Sequence, residues 1–230
     1  MLRRILLTAL VAGGLAGLFA AGLHQLKIVP LIAAAEVHET KASADHRHAA
    51  EHRHEPAAAW EPASGLERTG YTVVADILAG IGFALILTGA VAIARLCGYP
   101  VDARHGLLWG AAGFAVFAFA PAVGLPPELP GMMAAELAER QQWWLLTAAA
   151  TAAGLALLVF ARPIALRGAG IMLLLMPHLI GAPVAQHAGG AVPAELAAEF
   201  VTASLATTAL FWLVLGGLSG WFYQRFVEAA

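Results

Sequence analysis

Apolar residues dominate six stretches of this chain, near Arg4–Leu26, Tyr71–Ala94, His105–Val123, Trp143–Ala161, Gly168–Ala182 and Ala197–Tyr223, with short polar breaks between most of them. Most approach the roughly 20 residues that a helix needs to cross a bilayer. The fifth is short, and Pro177 and Pro183 interrupt it. A membrane bundle tolerates such a segment where it is buried or lines a cavity. The pattern therefore predicts an all-α, polytopic membrane helix bundle of about six spans, a single membrane domain over residues 1–230. Arg3 and Arg4 before an apolar core, with "LFAAG" behind it, resemble a secretory signal. The apolar stretch continues to Leu23, however, beyond the roughly 7–15 residues of a signal core, and predicts a retained anchor.

Composition agrees. Of 230 residues, 60% are hydrophobic and 12% charged, whereas a soluble domain carries about a quarter charged residues. Lipid is the solvent, and a net charge of −2 gives no reason to expect a nucleic-acid partner. A lone cysteine, Cys97, excludes an intramolecular disulfide framework and a cysteine zinc cluster. No phosphate-binding glycine loop with its lysine is present, and no Ser/His/Asp spacing suggests nucleophilic catalysis.

Basic residues set the expected orientation. Six spans gather Arg3, Arg4, Arg95, Arg104, Arg162, Arg167 and Arg225 on one side, in short loops with few acids. That side reads as cytoplasmic and holds both termini, in a bacterial inner membrane. The opposite side receives the one long hydrophilic segment, residues 28–70, expected to be a flexible His-rich extracytoplasmic loop with a helical portion around Ile32–His38.

Within that loop "DHRHAAEHRHE" repeats an acid-His-Arg-His unit and holds four of the nine histidines. His46 and His48, or His52 and His54, share a face in extended chain; His48 and His52 adjoin on a helix. Two neutral imidazoles with a nearby carboxylate suit cobalt, nickel or zinc, and clustered histidine tracts bind metal. The alternative is a solvated linker. His48-Ala-Ala-Glu51-His52 also matches the H-x-x-E-H pattern of inverted zinc peptidases. That chemistry needs a rigid helix, a third ligand and a walled cleft, which a charged repeat does not offer.

Ionisable groups at bilayer depth are costly and are functional candidates by default. Asp76 falls inside the second run and His178 inside the fifth, directly after Pro177. Proline leaves the carbonyl of Leu173 without its helical donor, and a broken helix beside an imidazole is one way to build a midplane ion site. His24 and Gln25 close the first run, and His187 follows Pro183. The alternatives are an interfacial position for His24 and His187, a hydrogen bond from Thr72 for Asp76, and an interhelical bond for His178. Gly13-xxx-Gly17 and Gly216-xxx-Gly220 read as close-packing faces. Trp143, Trp144, Trp221 and Tyr223 read as aromatic belts at span ends.

Gln25 with Pro30-Leu31-Ile32, and Pro177-His178 with Gly181-Ala182-Pro183, are elements by which the chain resembles CbtA, a family of predicted cobalt transporter subunits. The likeness takes in both ends, "LPPELPG" and "QQWWLLTAAATAAGLAL". It implies several spans, a His-bearing outer loop, cobalt supply for cobalamin synthesis, and a small one-span, His-bearing partner subunit. Residues alone do not choose cobalt over nickel or zinc.

The combined reading is uptake of a divalent transition metal, cobalt by resemblance, with no permanently bound cofactor. His46, His48, His52 and His54 capture the ion; His24, Glu36, His38 and His187 relay it; His178 with Asp76 forms the intramembrane site. Two alternatives stay open: an accessory or sensor that hands metal to another permease, and a metal-dependent membrane enzyme. The energy source and a homo-oligomeric state are open as well.

Overall fold

A computed structural model describes residues 2–47, 62–63, 65–100, 102–185 and 190–228. Helices α1 (Leu2–Leu23) and α2 (Val29–Arg47) flank a π-helical segment, His24–Ile28, and the three form one continuous rod. α3 spans Leu66–Leu96. α4 (Ala103–Phe114) and α5 (Ala120–Gly124) flank a second π-helical segment, Ala115–Phe119. α6 (Leu137–Phe160), α7 (Ile164–Ile180) and α8 (Ala194–Glu228) complete the order. Among the described residues there is no strand, only one bridge between Met132 and Gly190.

Five stretches, Leu2–Thr40, Leu66–Leu96, Ala103–Gly124, Leu137–Phe160 and Ala194–Phe226, are long and apolar enough to cross a membrane. α7, with 17 residues, is shorter. At about 1.5 Å per residue it still reaches the lower end of the spanning range. The chain is a multi-pass helical membrane protein.

On α1 the small residues lie inside and the leucines outside. Ala9, Ala12 and Ala16 are 0% exposed, whereas Leu10, Leu78 and Ile86 are more than half exposed. Lipid tails are as apolar as leucine, so helices associate by close packing rather than by hydrophobic burial. The two glycine pairs read from the sequence do this. A side chain at Gly13 or Gly17 would strike the α3 backbone at Gly80–Ile81 or Asp76–Ile77. One at Gly216 or Gly220 would strike α4 at Gly106–Gly110 or Asp102. Thus α1 lies against α3 and α8, α4 against α8, and α6 against α7. At the centre Trp212 stacks on Phe117 (centroids 5.5 Å apart) and meets Phe83 at 5.0 Å.

The helix does not end where the sequence suggests a loop at Ile28. It continues to Arg47 because Ile28, Leu31, Ile32 and Ala35 recur on one helical face and pack against Leu129 and Phe200. Two of the expected belt aromatics are also relocated. Trp143 and Tyr223 are 6% and 4% exposed, Trp143 beside His178 and Tyr223 beneath the guanidinium of Arg95. Trp144 and Trp221 remain open to the surroundings.

Candidate functional site

The close approach of α1 to α3 determines what happens at its far end. Gly17 rests on the backbone of Asp76, and His24 follows seven residues, about two turns, later on the same face. The imidazole therefore meets the Asp76 carboxylate across the interface. Nδ1 lies 2.9 Å from Oδ2 and 3.1 Å from Oδ1, with the two side chains 30% and 15% exposed. His24 also opens the π-helical segment, a distortion that recurs at functional sites.

A carboxylate only accepts, so Nδ1 is the donor in this pair, and in the neutral imidazole the lone pair is on Nε2. A histidine that donates one ring N–H to a carboxylate while offering the other nitrogen is the arrangement that orients metal ligands. Asp76 serves as the orienting partner here. Its hydrogen bond is to His24; the Thr72 hydroxyl instead donates to the carbonyl of Arg68, 2.9 Å away. Beside His24, Nε2 of Gln25 is buried without a hydrogen-bond partner.

Glu36 is engaged differently. Arg68 grips both its oxygens, Nη2 to Oε1 at 2.5 Å and Nη1 to Oε2 at 3.1 Å, tying α2 to α3. That fork occupies the carboxylate expected to relay metal. His38 is half-buried on α2. Among the described residues no three His, Cys, Asp or Glu side chains gather closely enough to hold an ion. His46 is placed by backbone alone, while His48, His52, His54 and His187, and with them the H-x-x-E-H match, lie outside the described residues.

His178 does not join Asp76. α7 packs on α6, whereas α3 packs on α1 and α8, so the two residues share no helix interface. The His178 ring instead meets Trp143 edge-on, centroids 6.0 Å apart. Pro177 is fully buried, and α7 continues past it to Ile180.

Two further features escaped the sequence. A cavity of about 700 Å³ opens between the second π segment, α6 and α8, walled by Phe117, Pro121, Trp144 and Leu205. Its charged residues, Arg140 and Glu128, neutralise each other at 2.6 Å, so it offers a bare cation little. On the opposite side Asp102 caps α4, accepting from the backbone N–H of His105 and from its ring nitrogen, both at 2.9 Å. Those bonds, the backbone one foremost, hold the Asp102 carboxyl below the ordinary aspartate range.

Comparison with known proteins gives one family. A family model described as "Probable cobalt transporter subunit (CbtA)" matches residues 2–224, nearly the whole chain. No curated protein and no solved structure matches it.

Proposed function

Because this chain belongs to the CbtA family of probable cobalt transporter subunits, we propose that it carries cobalt inward across a bacterial cytoplasmic membrane. The observation that supports this most is the His24–Asp76 pair. It holds an oriented imidazole where α1 passes into the π-helical segment, and the neutral form of that ring offers Nε2 as a ligand suited to a borderline divalent ion. Nickel and zinc share that preference, and the family favours cobalt.

In this account α7 is the sixth crossing and both termini face the cytoplasm. The outer histidines His46, His48, His52, His54 and His187 raise the local metal concentration through weak contacts. His38 and His24 lie on one continuous rod, fourteen residues and so about 21 Å apart, and mark successive positions along it. His178, in the last turn of α7, receives the ion next. Glu36 acts as a brace through Arg68 and leaves the relay. Weak outer sites and a reversible inner one let ions enter and leave.

The family description names a transporter subunit, which implies a further component. We propose a small one-span, His-bearing protein for that role. A second reading, metal capture followed by transfer to a separate permease, is favoured by the lack of a three-ligand cluster among the described residues. One experiment separates them: cobalt binding and radioactive cobalt uptake measured on sealed vesicles holding this chain, with and without the small protein. Uptake supports transport. Binding with no uptake under either condition supports the accessory role.

A further inference from the structure

A proline inside a helix has no N–H for the carbonyl four residues back. Pro121 is such a residue, and the turn before it is wound wide, with the Ala120 N–H on the Ala115 carbonyl. This π segment forms one wall of the cavity of about 700 Å³, and α6 and α8 form the others. α6 packs on α7, and α8 on α4 and α1, so α6 and α8 share the cavity without a close pairing of their own. Leu137 and Leu145, both in its wall, are 62% and 64% exposed. An opening between two spans, edged by exposed leucines, faces lipid.

The wall is graded along α6. Arg140 stands in the first turn and pairs with Glu128. Trp144 and Leu145 follow about one turn later, with the Phe117 ring 6.2 Å from that of Trp144 and Leu205 of α8 lining the same space. Charge beside hydrocarbon is costly and marks function by default. The two charged side chains are 29% and 22% exposed, with Nη2 of Arg140 2.6 Å from Oε2 of Glu128. Among the described residues neither group has a further ion-pair or hydrogen-bond partner. A guanidinium carries five N–H donors and a carboxylate about four acceptor sites. Unused donors and unused acceptors therefore lie side by side, next to an apolar hollow.

We infer that this cavity seats one zwitterionic phospholipid with a primary ammonium head group. Phosphate oxygens accept from the free Arg140 donors, the ammonium donates to Glu128, and an acyl chain lies between Trp144, Phe117 and Leu205 before leaving through the opening. The charge pair is neutral, as such a head group is. An anionic head group would set its surplus charge against Glu128, and a choline head group has no N–H to donate. A membrane helix does not fit. The cavity follows α6 from Leu137 to Leu145, about 12 Å at 1.5 Å per residue, whereas a spanning helix needs a groove along some 30 Å of hydrocarbon. Seated there, the lipid bridges α6 to α8. The inference stands apart from the transport reading.

The test uses the full chain, purified in detergent and stripped of native lipid. Phosphatidylethanolamine, phosphatidylglycerol or phosphatidylcholine with identical acyl chains is added, thermal unfolding is followed, and native mass spectrometry counts the lipids retained. One phosphatidylethanolamine should be retained and should raise the unfolding temperature, because a ligand of the folded state stabilises it. Losing a hydrogen bond to a charged group weakens binding about tenfold or more. The other two lipids should therefore need about ten times the concentration, and Arg140→Met should weaken phosphatidylethanolamine by a similar factor. Glu128→Gln should erase the preference over phosphatidylglycerol. Leu205→Trp fills the apolar end, leaves both charges in place and should expel the lipid, which keeps the test open if a charge variant fails to fold. Equal binding of the three lipids by the parent overturns the inference. Parental phosphatidylethanolamine binding by folded Leu205→Trp also overturns it, since the lipid then sits elsewhere. Displacement of the lipid by an equal concentration of phosphoethanolamine gives the site to a soluble compound and overturns it too.

Discussion

The imidazole of His24 and the carboxylate of Asp76, 52 positions apart in sequence, meet at 2.9 Å because a glycine at position 17 lets α1 rest directly on the α3 backbone. A packing feature thereby sets the position of a chemical one. If so, disturbing the helix contact will disturb the site without touching either side chain.

Gly17→Leu is the corresponding test. A side chain there overlaps the Asp76 carbonyl and the Ile77 Cα, and backbone cannot step aside as a flexible side chain does. Overpacking of this kind costs about 1–3 kcal/mol. The expected result is a lowered unfolding temperature in detergent together with weakened cobalt binding. Gly14→Leu is the control, since the space beside Gly14 is open, and it should change neither.

Glu36→Gln separates brace from ligand. The ion pair with Arg68 is 38% and 40% exposed, and pairs that open to solvent contribute about 0–1 kcal/mol. Thermal stability should fall slightly and cobalt affinity should not move. A tenfold loss of affinity would return Glu36 to the relay.

Asp102 predicts a pH dependence on the other side of the bundle. Its carboxyl titrates below the ordinary value because the folded helix end donates hydrogen bonds to the charged form. A carboxylate depressed in this way stabilises the fold above its unfolded pKa, about 3.9. That contribution fades as pH falls through this value toward the folded one. Asp102→Ala should therefore unfold at a lower temperature than the parent at pH 7, with the gap narrowing on acidification below about pH 4. A gap that stays constant to pH 3 would show that the cap charge contributes nothing.

Topology turns on α7. If this 17-residue helix crosses the membrane, the two termini share a side; if it lies along the surface, they do not. Cysteines introduced at Ala50 should react with an impermeant thiol reagent from outside. The native Cys97, exposed at the end of α3, should react only after permeabilisation. Epitope tags at both termini should likewise become accessible only then.

The spans were legible in the sequence because lipid imposes length and apolarity on every crossing. Gly13, Gly17, Gly216 and Gly220 were legible too, since small residues one turn apart carry their own geometry. Their partners were not. Nothing local to Gly80 or Gly106 says which helix will lie on it. For the same reason His24 and Asp76 stood out separately, as polar residues at depth, while their pairing required the fold. The continuation of the first helix to Arg47 was hidden because Ile28, Leu31, Ile32 and Ala35 give only two turns of pattern, and their partners Leu129 and Phe200 lie far along the chain. Trp143 looked like an interfacial belt residue by position alone. Its burial depends on the crossing of α6 with α7.

The central claim, that His24 oriented by Asp76 is the metal's point of entry, is tested most directly by cobalt uptake against concentration. Sealed vesicles would hold the parent, His24→Ala or Asp76→Asn, each with the proposed small one-span partner. Loss of an orienting partner typically weakens metal affinity about 10–100-fold. Asp76→Asn should therefore raise the half-saturating cobalt concentration by that factor and leave the maximal rate close to the parent's. His24→Ala should abolish uptake at micromolar metal. Parental saturation curves for both variants, at parental protein abundance, would contradict the account and move the entry site elsewhere.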